Sequence, residues 1–227
     1  NYSEKLIRMK SMCTCYPSIV IDVKPHEKKL LGIPEDKFIL SCLQMRHKFK
    51  PEFLITLNKI LKTHPNTVVL MIENNNIKEY IKIFVENMEQ VIFFPKCTFN
   101  VFNKYIYFSD LILDTFPFGG CNSSLEGFSF GKIVVTKPTT FLSGRFTYGF
   151  YKRMNIFDAI AYDNDEYFDI VSNFITNHKE RKSLEKKILK KKKLLFEEQE
   201  SINEWVSTII NLVKPYVVLD NPGIQYS

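Results

Sequence analysis

The sequence predicts an α/β protein with a doubly wound, mostly parallel sheet and a helical C-terminal tail. Two observations carry this expectation. From residue 37 onward, short apolar runs alternate with longer stretches of helical periodicity. Those runs are apolar throughout rather than every second residue, as in strands covered on both faces. Strands alternating with helices build a parallel sheet, and right-handed crossovers place helices on both of its sides. The length of 227 residues suits one large domain, or one domain with an appendage.

Each element follows in order. Residues 1–30 have weak periodicity and contain Pro17 and Pro25, so they read as a connector or edge segment. Phe38-Ile-Leu-Ser-Cys-Leu43 is the first buried strand. Pro51 opens a helix to Thr63, with Phe53, Leu54, Leu57, Ile60 and Leu61 on one face. Proline suits this first turn, where its missing N–H costs nothing. Thr67–Ile72 is a second strand, Ile77–Asn87 a helix, and Val91–Phe94 a third strand stopped by Pro95. Asn100–Phe108 is helical, Leu111–Asp114 a fourth strand, Ser123–Phe130 a short helix and Ile133–Thr136 a fifth strand. Arg145–Met154 is a further helix, and Ala159–Tyr162 a sixth, weak strand. A helix after Asp163 and a long one from Thr176 to about Gln199 begin the tail. The last helix, Ser201–Val213, sets Ile202, Trp205, Val206, Ile209 and Val213 on one side. The expected organisation is a connector over 1–30, a Rossmann-like domain over 31–175, and C-terminal helices over 176–227.

Composition narrows the class. A hydrophobic content of 45% supports a real core. No run reaches the roughly 18 apolar residues of a membrane span, and the N-terminus lacks a signal-peptide pattern. The chain begins at Asn1 rather than methionine, which suggests a fragment or a processed chain. Cys13, Cys15, Cys42, Cys97 and Cys121 are odd in number and include no CxxC pair, so reduced thiols in a cytoplasmic protein are expected. His26, His47, His64 and His178 are scattered, and no metal site is expected. Much of the net charge of +6 comes from Lys179 to Lys193. That stretch lacks interleaved aromatics and precedes the acidic Glu197-Glu-Gln-Glu200, which favours a solvated helix over a nucleic-acid or membrane surface.

Ligands in an open α/β sheet bind beyond the carboxyl ends of the strands. Six of the eight glycines lie between Gly119 and Gly149, and glycine permits close approach of backbone to ligand. At the centre stands Asp114-Thr-Phe-Pro-Phe-Gly-Gly-Cys-Asn-Ser-Ser-Leu-Glu126: a strand end, a glycine turn, then a helix start that Asn122, Ser123 or Ser124 can cap. Free N–H groups and the helix dipole there favour a phosphate or diphosphate. Glu126 suits a ribose diol, but Ser123 with Glu126 also forms a capping-box pattern, and spacing does not choose between them. The stretch is neither GxGxxG nor GxxxxGK[ST]. At the end of the first strand, Gln44-Met-Arg-His-Lys48-Phe-Lys-Pro51 places Lys48 before a helix on the same edge. Lys48 either reaches a diphosphate as a point charge or belongs to a solvated basic loop with Arg46 and Lys50.

Together these stretches resemble the C-terminal, nucleotide-sugar-binding domain of the O-linked N-acetylglucosamine transferase (SPINDLY-type) family, over about Tyr2 to Tyr167. Gln44, Lys48 and Pro51 match the spacing of one family pattern. Asp114 to Glu126 is similar to D-P-F-P-F-G-G-x-N-[ST]-S-L-E, and Phe141-Leu-Ser-Gly-Arg-Phe-Thr147 to F-L-x-G-R-F-T. Tyr2 to Arg8, with Tyr16-Pro17, resembles the segment entering the domain. The resemblance implies the C-terminal half of a GT-B glycosyltransferase that moves a sugar, N-acetylglucosamine or another hexose, from a UDP-sugar to a hydroxyl, in particular protein Ser/Thr. Lys48 then stabilises the leaving diphosphate as the catalytic residue. Gln44, Gly120, Cys121, Asn122, Ser123 and Ser124 border the diphosphate, Glu126 meets the ribose, the loop at Cys97 meets the uracil, and Arg145 shapes the donor site. No metal or other cofactor is implied. The implied partners are a UDP-sugar, a protein or peptide acceptor, and an N-terminal catalytic domain in cis. Cys121, Phe99 and Phe102 stand where family members carry histidine or lysine. These departures, with the missing half, leave a non-catalytic UDP-binding or scaffold relative as the rival reading.

Overall fold

In the computed structural model, the described residues are 3, 5–12, 14–74, 76–196 and 198–217. Tyr2 and Glu4 of the entering segment, Cys13 of the C-x-C pair and Glu197 of the acidic stretch lie outside them. The chain divides into two units: residues 18–194 form one, and residues 1–17 with 195–227 the other.

The larger unit is built on five parallel strands: β1 (Phe38–Ser41), β2 (Thr67–Ile72), β3 (Val91–Phe94), β4 (Leu111–Leu113) and β5 (Val134–Val135). Their order is β3-β2-β1-β4-β5. Ile39, Leu40, Val69, Leu70, Leu111 and Leu113 are fully buried, as unbroken apolar strands require. A single turn, α1 (Glu27–Leu30), precedes β1. The crossovers are α2 (Pro51–Thr63), α3 (Ile77–Lys82), α4 (Phe99–Phe108) and α5 (Asn122–Ser129). After β2 and β3 are laid down to one side of β1, the chain returns to place β4 on the other. Constant crossover handedness then moves α4 and α5 to the opposite face from α2 and α3. That reversal, between β1 and β4, is where this fold class opens a crevice. α6 (Phe146–Met154), α7 (Asn164–Thr176) and α8 (His178–Lys191) complete the layers, α7 against α2 and α8 against α5.

Three elements differ from expectation, each for a local reason. The helix expected over Ile77–Asn87 stops at Lys82, where Asn58 Oδ1 captures the Glu86 N–H at 3.0 Å. The sixth strand is reduced to one parallel bridge, Thr136 with Ile160. Pro138, two residues further on, has no N–H with which to extend the ladder. The long helix expected from Thr176 to Gln199 breaks at Asn177, whose side chain accepts the Glu180 N–H and caps α8. A short 3₁₀ turn, Lys192–Leu194, follows.

In the smaller unit, α9 (Gln199–Val217) starts two residues before the expected point. Glu204 accepts the N–H groups of Lys10 and Ser11, and the Ser201 hydroxyl donates to the Met12 carbonyl. Ile202, Trp205, Val206, Ile209 and Val213 are exposed. Among the described residues no helix is long and apolar enough to cross a membrane.

Candidate functional site

β1 ends at Ser41, and the chain stays buried through Gln44 before a 3₁₀ turn, Arg46–Lys48. That turn brings Lys48 back over the crevice between β1 and β4. Its ammonium donates to the Gly119 carbonyl and to Gln44 Oε1, both at 2.8 Å, and lies 4.5 Å from the Phe118 ring centroid. Gln44 Nε2 donates to Ser123 Oγ at 2.7 Å. One glutamine side chain therefore links the lysine of the first loop to the helix start of the fourth. Lys48 is half-buried, and burial lowers its pKa below the usual lysine range against the opposing charge of Asp114. It is a placed cation, not part of a solvated loop.

Asp114 follows β4 and is buried. Its carboxylate accepts the Gly120 N–H at 2.5 Å and the Thr136 hydroxyl at 2.8 Å. Its backbone carbonyl accepts the Tyr167 hydroxyl at 3.0 Å. Burial raises its pKa, opposed by hydrogen bonds from Gly120, Thr147 and Thr136 and by the Lys48 charge. The Phe116–Pro117 peptide is cis, and the Thr115 hydroxyl donates to the Phe118 carbonyl at 2.6 Å. Gly120 has no room for a side chain: a Cβ would lie 2.7 Å from Ser124 Oγ, 2.8 Å from Ser123 Oγ and 2.9 Å from Gln44 Nε2.

Free amides were expected over Gly119–Ser124, and for the two glycines this needs correcting. Gly119 N–H donates to the Ser143 carbonyl at 2.9 Å, and Gly120 N–H to Asp114. The open donors lie one step later. α5 makes its first intrahelical bond from Leu125 N–H to the Cys121 carbonyl, at 3.1 Å. Helix geometry leaves the amides of Asn122, Ser123 and Ser124 without intrahelical acceptors. The capping box also does not form. Cys121 occupies the N-cap position, with no side-chain cap bond. The Ser123 hydroxyl is engaged by Gln44 and the Ser124 hydroxyl by Thr147 Oγ1 at 2.8 Å. Glu126 falls past the first turn of α5 and is buried.

The structure thus gathers Gln44, Lys48, Gly120, Cys121, Asn122, Ser123 and Ser124 at one point of the carboxyl edge. Cys97 stands on the other flank, after β3. It is exposed, burial of the thiol still raises its pKa, and it lines a 390 Å³ cleft with Met45, Ile72, Phe94, Phe99 and Phe102. Arg145 is exposed and serves its own loop: its Nη1 donates to the Thr139 carbonyl at 2.9 Å, and its guanidinium lies 4.9 Å from the Tyr148 ring centroid. Asp114, Phe118 and Thr147 stand inside the quoted motifs and Thr136 ends the expected fifth strand, but none of the four was expected as a site residue. A carboxylate ending an apolar strand just before a glycine pair was a legible signal for the first. The two threonines had no such signal. Among the described residues no group of three or more His, Cys, Asp or Glu side chains is placed to hold a metal ion.

A half-buried cation beside a helix N-terminus, at the reversal point of a parallel sheet, is an anion site in electrostatic terms. The sheet order and its helical layers are those of a Rossmann-like domain of a GT-B glycosyltransferase. More narrowly, the chain belongs to glycosyl transferase family 41, which it matches over residues 11–204. It is 27% identical over 153 residues to the Arabidopsis thaliana "Probable UDP-N-acetylglucosamine--peptide N-acetylglucosaminyltransferase SEC", covering 60% of this chain and 15% of that protein. Its fold is similar to that of a Thermobaculum terrenum O-GlcNAc transferase mutant, with TM-score 0.78 and 18% identity over 94% of this chain and 42% of that one. A glycosyltransferase from Rickettsia africae matches with TM-score 0.58 and 12% identity, over 85% of this chain and 53% of the other. The chain therefore spans only part of the length of the relatives it matches.

Proposed function

We propose that this chain is the donor-binding half of a glycosyltransferase that moves a sugar from a UDP-sugar to a hydroxyl, with protein Ser/Thr as the acceptor class. The observation that carries this reading is the Lys48 ammonium held at the Gly119 carbonyl, beside the open amides of α5. In an in-line displacement, negative charge develops on the departing diphosphate. Lys48 and the N-terminus of α5 stand ready to stabilise it without reorganisation. Gln44 keeps the lysine in register with Ser123, and Asn122 is exposed at the helix start to meet phosphate oxygens. The apolar cleft at Cys97 suits a planar base. These groups supply the positive field that a cation supplies in other transferases, so metal-independent transfer is expected. The acceptor site and the general base belong to an N-terminal domain in cis, and the setting is cytoplasmic. The names of the Arabidopsis and Thermobaculum relatives support N-acetylglucosamine as the sugar.

Calorimetric titration of UDP into the wild type and Lys48→Ala tests the reading. Loss of one preorganised charge is expected to weaken binding by ~2–4 kcal/mol. Equal affinity in both proteins removes Lys48 from the donor site. The rival reading, a non-catalytic UDP-binding relative, draws on Cys121, Phe99 and Phe102 standing at positions where the resemblance expects histidine or lysine. Incubating the full-length gene product with radiolabelled UDP-sugar separates the two, since the rival binds UDP and releases no labelled sugar.

A further inference from the structure

We propose that Asp114 positions the glycine turn for the donor diphosphate and takes up a proton when the diphosphate enters. The inference rests on the UDP-sugar reading above. Its geometric basis is the packing of the turn against this one carboxylate. Oδ1 takes the Gly120 N–H and Oδ2 the Thr136 hydroxyl. Gly119 is so close that a Cβ would lie 2.9 Å from Oδ2 and 3.0 Å from Oδ1. The carboxylate therefore sets the height of the Gly119–Gly120 backbone, and with it the Gly119 carbonyl that holds Lys48.

Its charge has a second consequence. Before a ligand arrives, Asp114 and Lys48 each feel the other's opposite charge. A diphosphate then brings more negative charge beside a carboxylate that is largely buried. The other ionisable groups facing Asp114 cannot relieve the repulsion. Burial pushes the thiol of Cys42, just after β1, well above its usual range, and the hydroxyls of Tyr167 in α7 and Tyr151 in α6 likewise, so all three are neutral. Lys48 is already the attracting cation, and the His47 ring packs edge-on against Phe118, with ring centroids 5.8 Å apart. Among these groups the carboxylate is the one that can respond. Burial already holds its pKa above the usual carboxylate range, and an added negative charge raises it further. One proton from solvent converts it to the acid. The acid still accepts the Gly120 N–H through one oxygen and donates through the other to Thr136, whose hydroxyl reverses from donor to acceptor. The turn keeps its shape. The sign follows: UDP binding is tightest below the Asp114 pKa of the free protein, weakens as pH rises from that value to the higher pKa of the complex, and is level above it.

The test is calorimetry of UDP with the full-length protein, in buffers of different ionisation enthalpy, at pH values spanning about 6 to 8. Asp114→Asn is run in parallel, so that the difference removes contributions from His47 and from the terminal phosphate, whose second pKa is about 6. The wild type is expected to take up more protons than the Asn variant. The Asn variant, whose amide can accept from Gly120 and donate to Thr136, is expected to bind UDP at least as tightly. Asp114→Ala is expected to bind at least about tenfold more weakly. If that variant does not fold, the Asn comparison decides alone. Equal proton uptake in wild type and Asp114→Asn overturns the proposal, as does an Asn variant that binds more weakly than wild type. A wild type with no affinity for UDP is a different failure, because it sinks the donor assignment itself.

Discussion

The two flanks of the crevice are built in opposite ways. On the β4–α5 flank, the polar groups around the turn are already engaged: Gly119 by Ser143, Gly120 by Asp114, Ser123 by Gln44, Ser124 by Thr147. Among the described residues of this flank, the first-turn amides of α5 have no intrahelical acceptor and Lys48 has a donor to spare. On the β2–β3 flank, the wall is mostly apolar, though Lys96 also lines it, and partly open, with Phe99 55% and Met45 43% exposed. The first arrangement fixes atoms before a ligand arrives and suits developing charge, which rewards groups that need not move. The second offers surface without direction and suits an aromatic ring, which gains mainly from area and stacking. The comparison predicts that substitutions on the first flank disturb binding steeply and those on the second gradually.

Gly120→Ala is the largest expected effect. The added methyl would meet three side-chain atoms within 3.0 Å, among them both ends of the Gln44–Ser123 bond. The turn must move, that bond must open, and Lys48 loses the partner that aligns it. Overpacking of this kind costs about 1–3 kcal/mol of stability. UDP affinity is expected to fall at least as far as in Lys48→Ala, measured by the same titration. A Gly120→Ala protein that binds UDP normally would show that this flank is plastic, and the contrast between flanks would be lost.

The legibility of the molecule divides in a similar way. Sequence periodicity set α2 to the residue because Pro51 fixes its first turn and five apolar positions share one face. It placed four strands closely for a related reason: an apolar run of that length has few other uses. Gln44, Lys48 and the Gly119–Ser124 turn were legible as residue types at the right strand ends. Their hydrogen bonds were not, because those join loops far apart in sequence. Ser123 looked like a cap, yet Gln44 competes for its hydroxyl, and no local pattern contains that competition. Thr136 ends a plain apolar strand and Thr147 closes the Phe141–Thr147 motif, yet both acquire their contacts only when β5 and α6 close around Asp114 and Ser124. Local chemistry picked out the residues that the fold brings to one strand edge, and tertiary contacts decided which of their amides are engaged.

On the apolar flank, Phe99→Ala is expected to weaken UDP binding by about 1 kcal/mol, the lower end of what stacking on one aromatic side chain contributes. The exposed ring leaves no cavity when removed, so thermal stability should stay within about 0.5 kcal/mol of wild type. Measuring both on one protein sharpens the contrast, since Gly120→Ala should lose stability and affinity together whereas Phe99→Ala loses affinity alone. Unchanged affinity in Phe99→Ala would move the base away from the Cys97 cleft.

Arg145→Ala is the smallest expected effect, although Arg145 lies within one of the motifs that carry the family resemblance. Its guanidinium faces its own loop, on the Thr139 carbonyl and the Tyr148 ring, and is exposed to solvent. Exposed bonds of this type contribute on the order of 0.5–1 kcal/mol. Its route to the donor is indirect, through the loop whose Ser143 carbonyl holds the Gly119 N–H. Loosening that loop should leave Gly120 on Asp114 and Lys48 on Gln44, so UDP affinity is expected to fall by no more than about threefold, which is under 1 kcal/mol. A loss comparable to Lys48→Ala would mean that Arg145 swings onto the diphosphate when the donor is bound. The charged flank would then be completed by the ligand rather than set in advance.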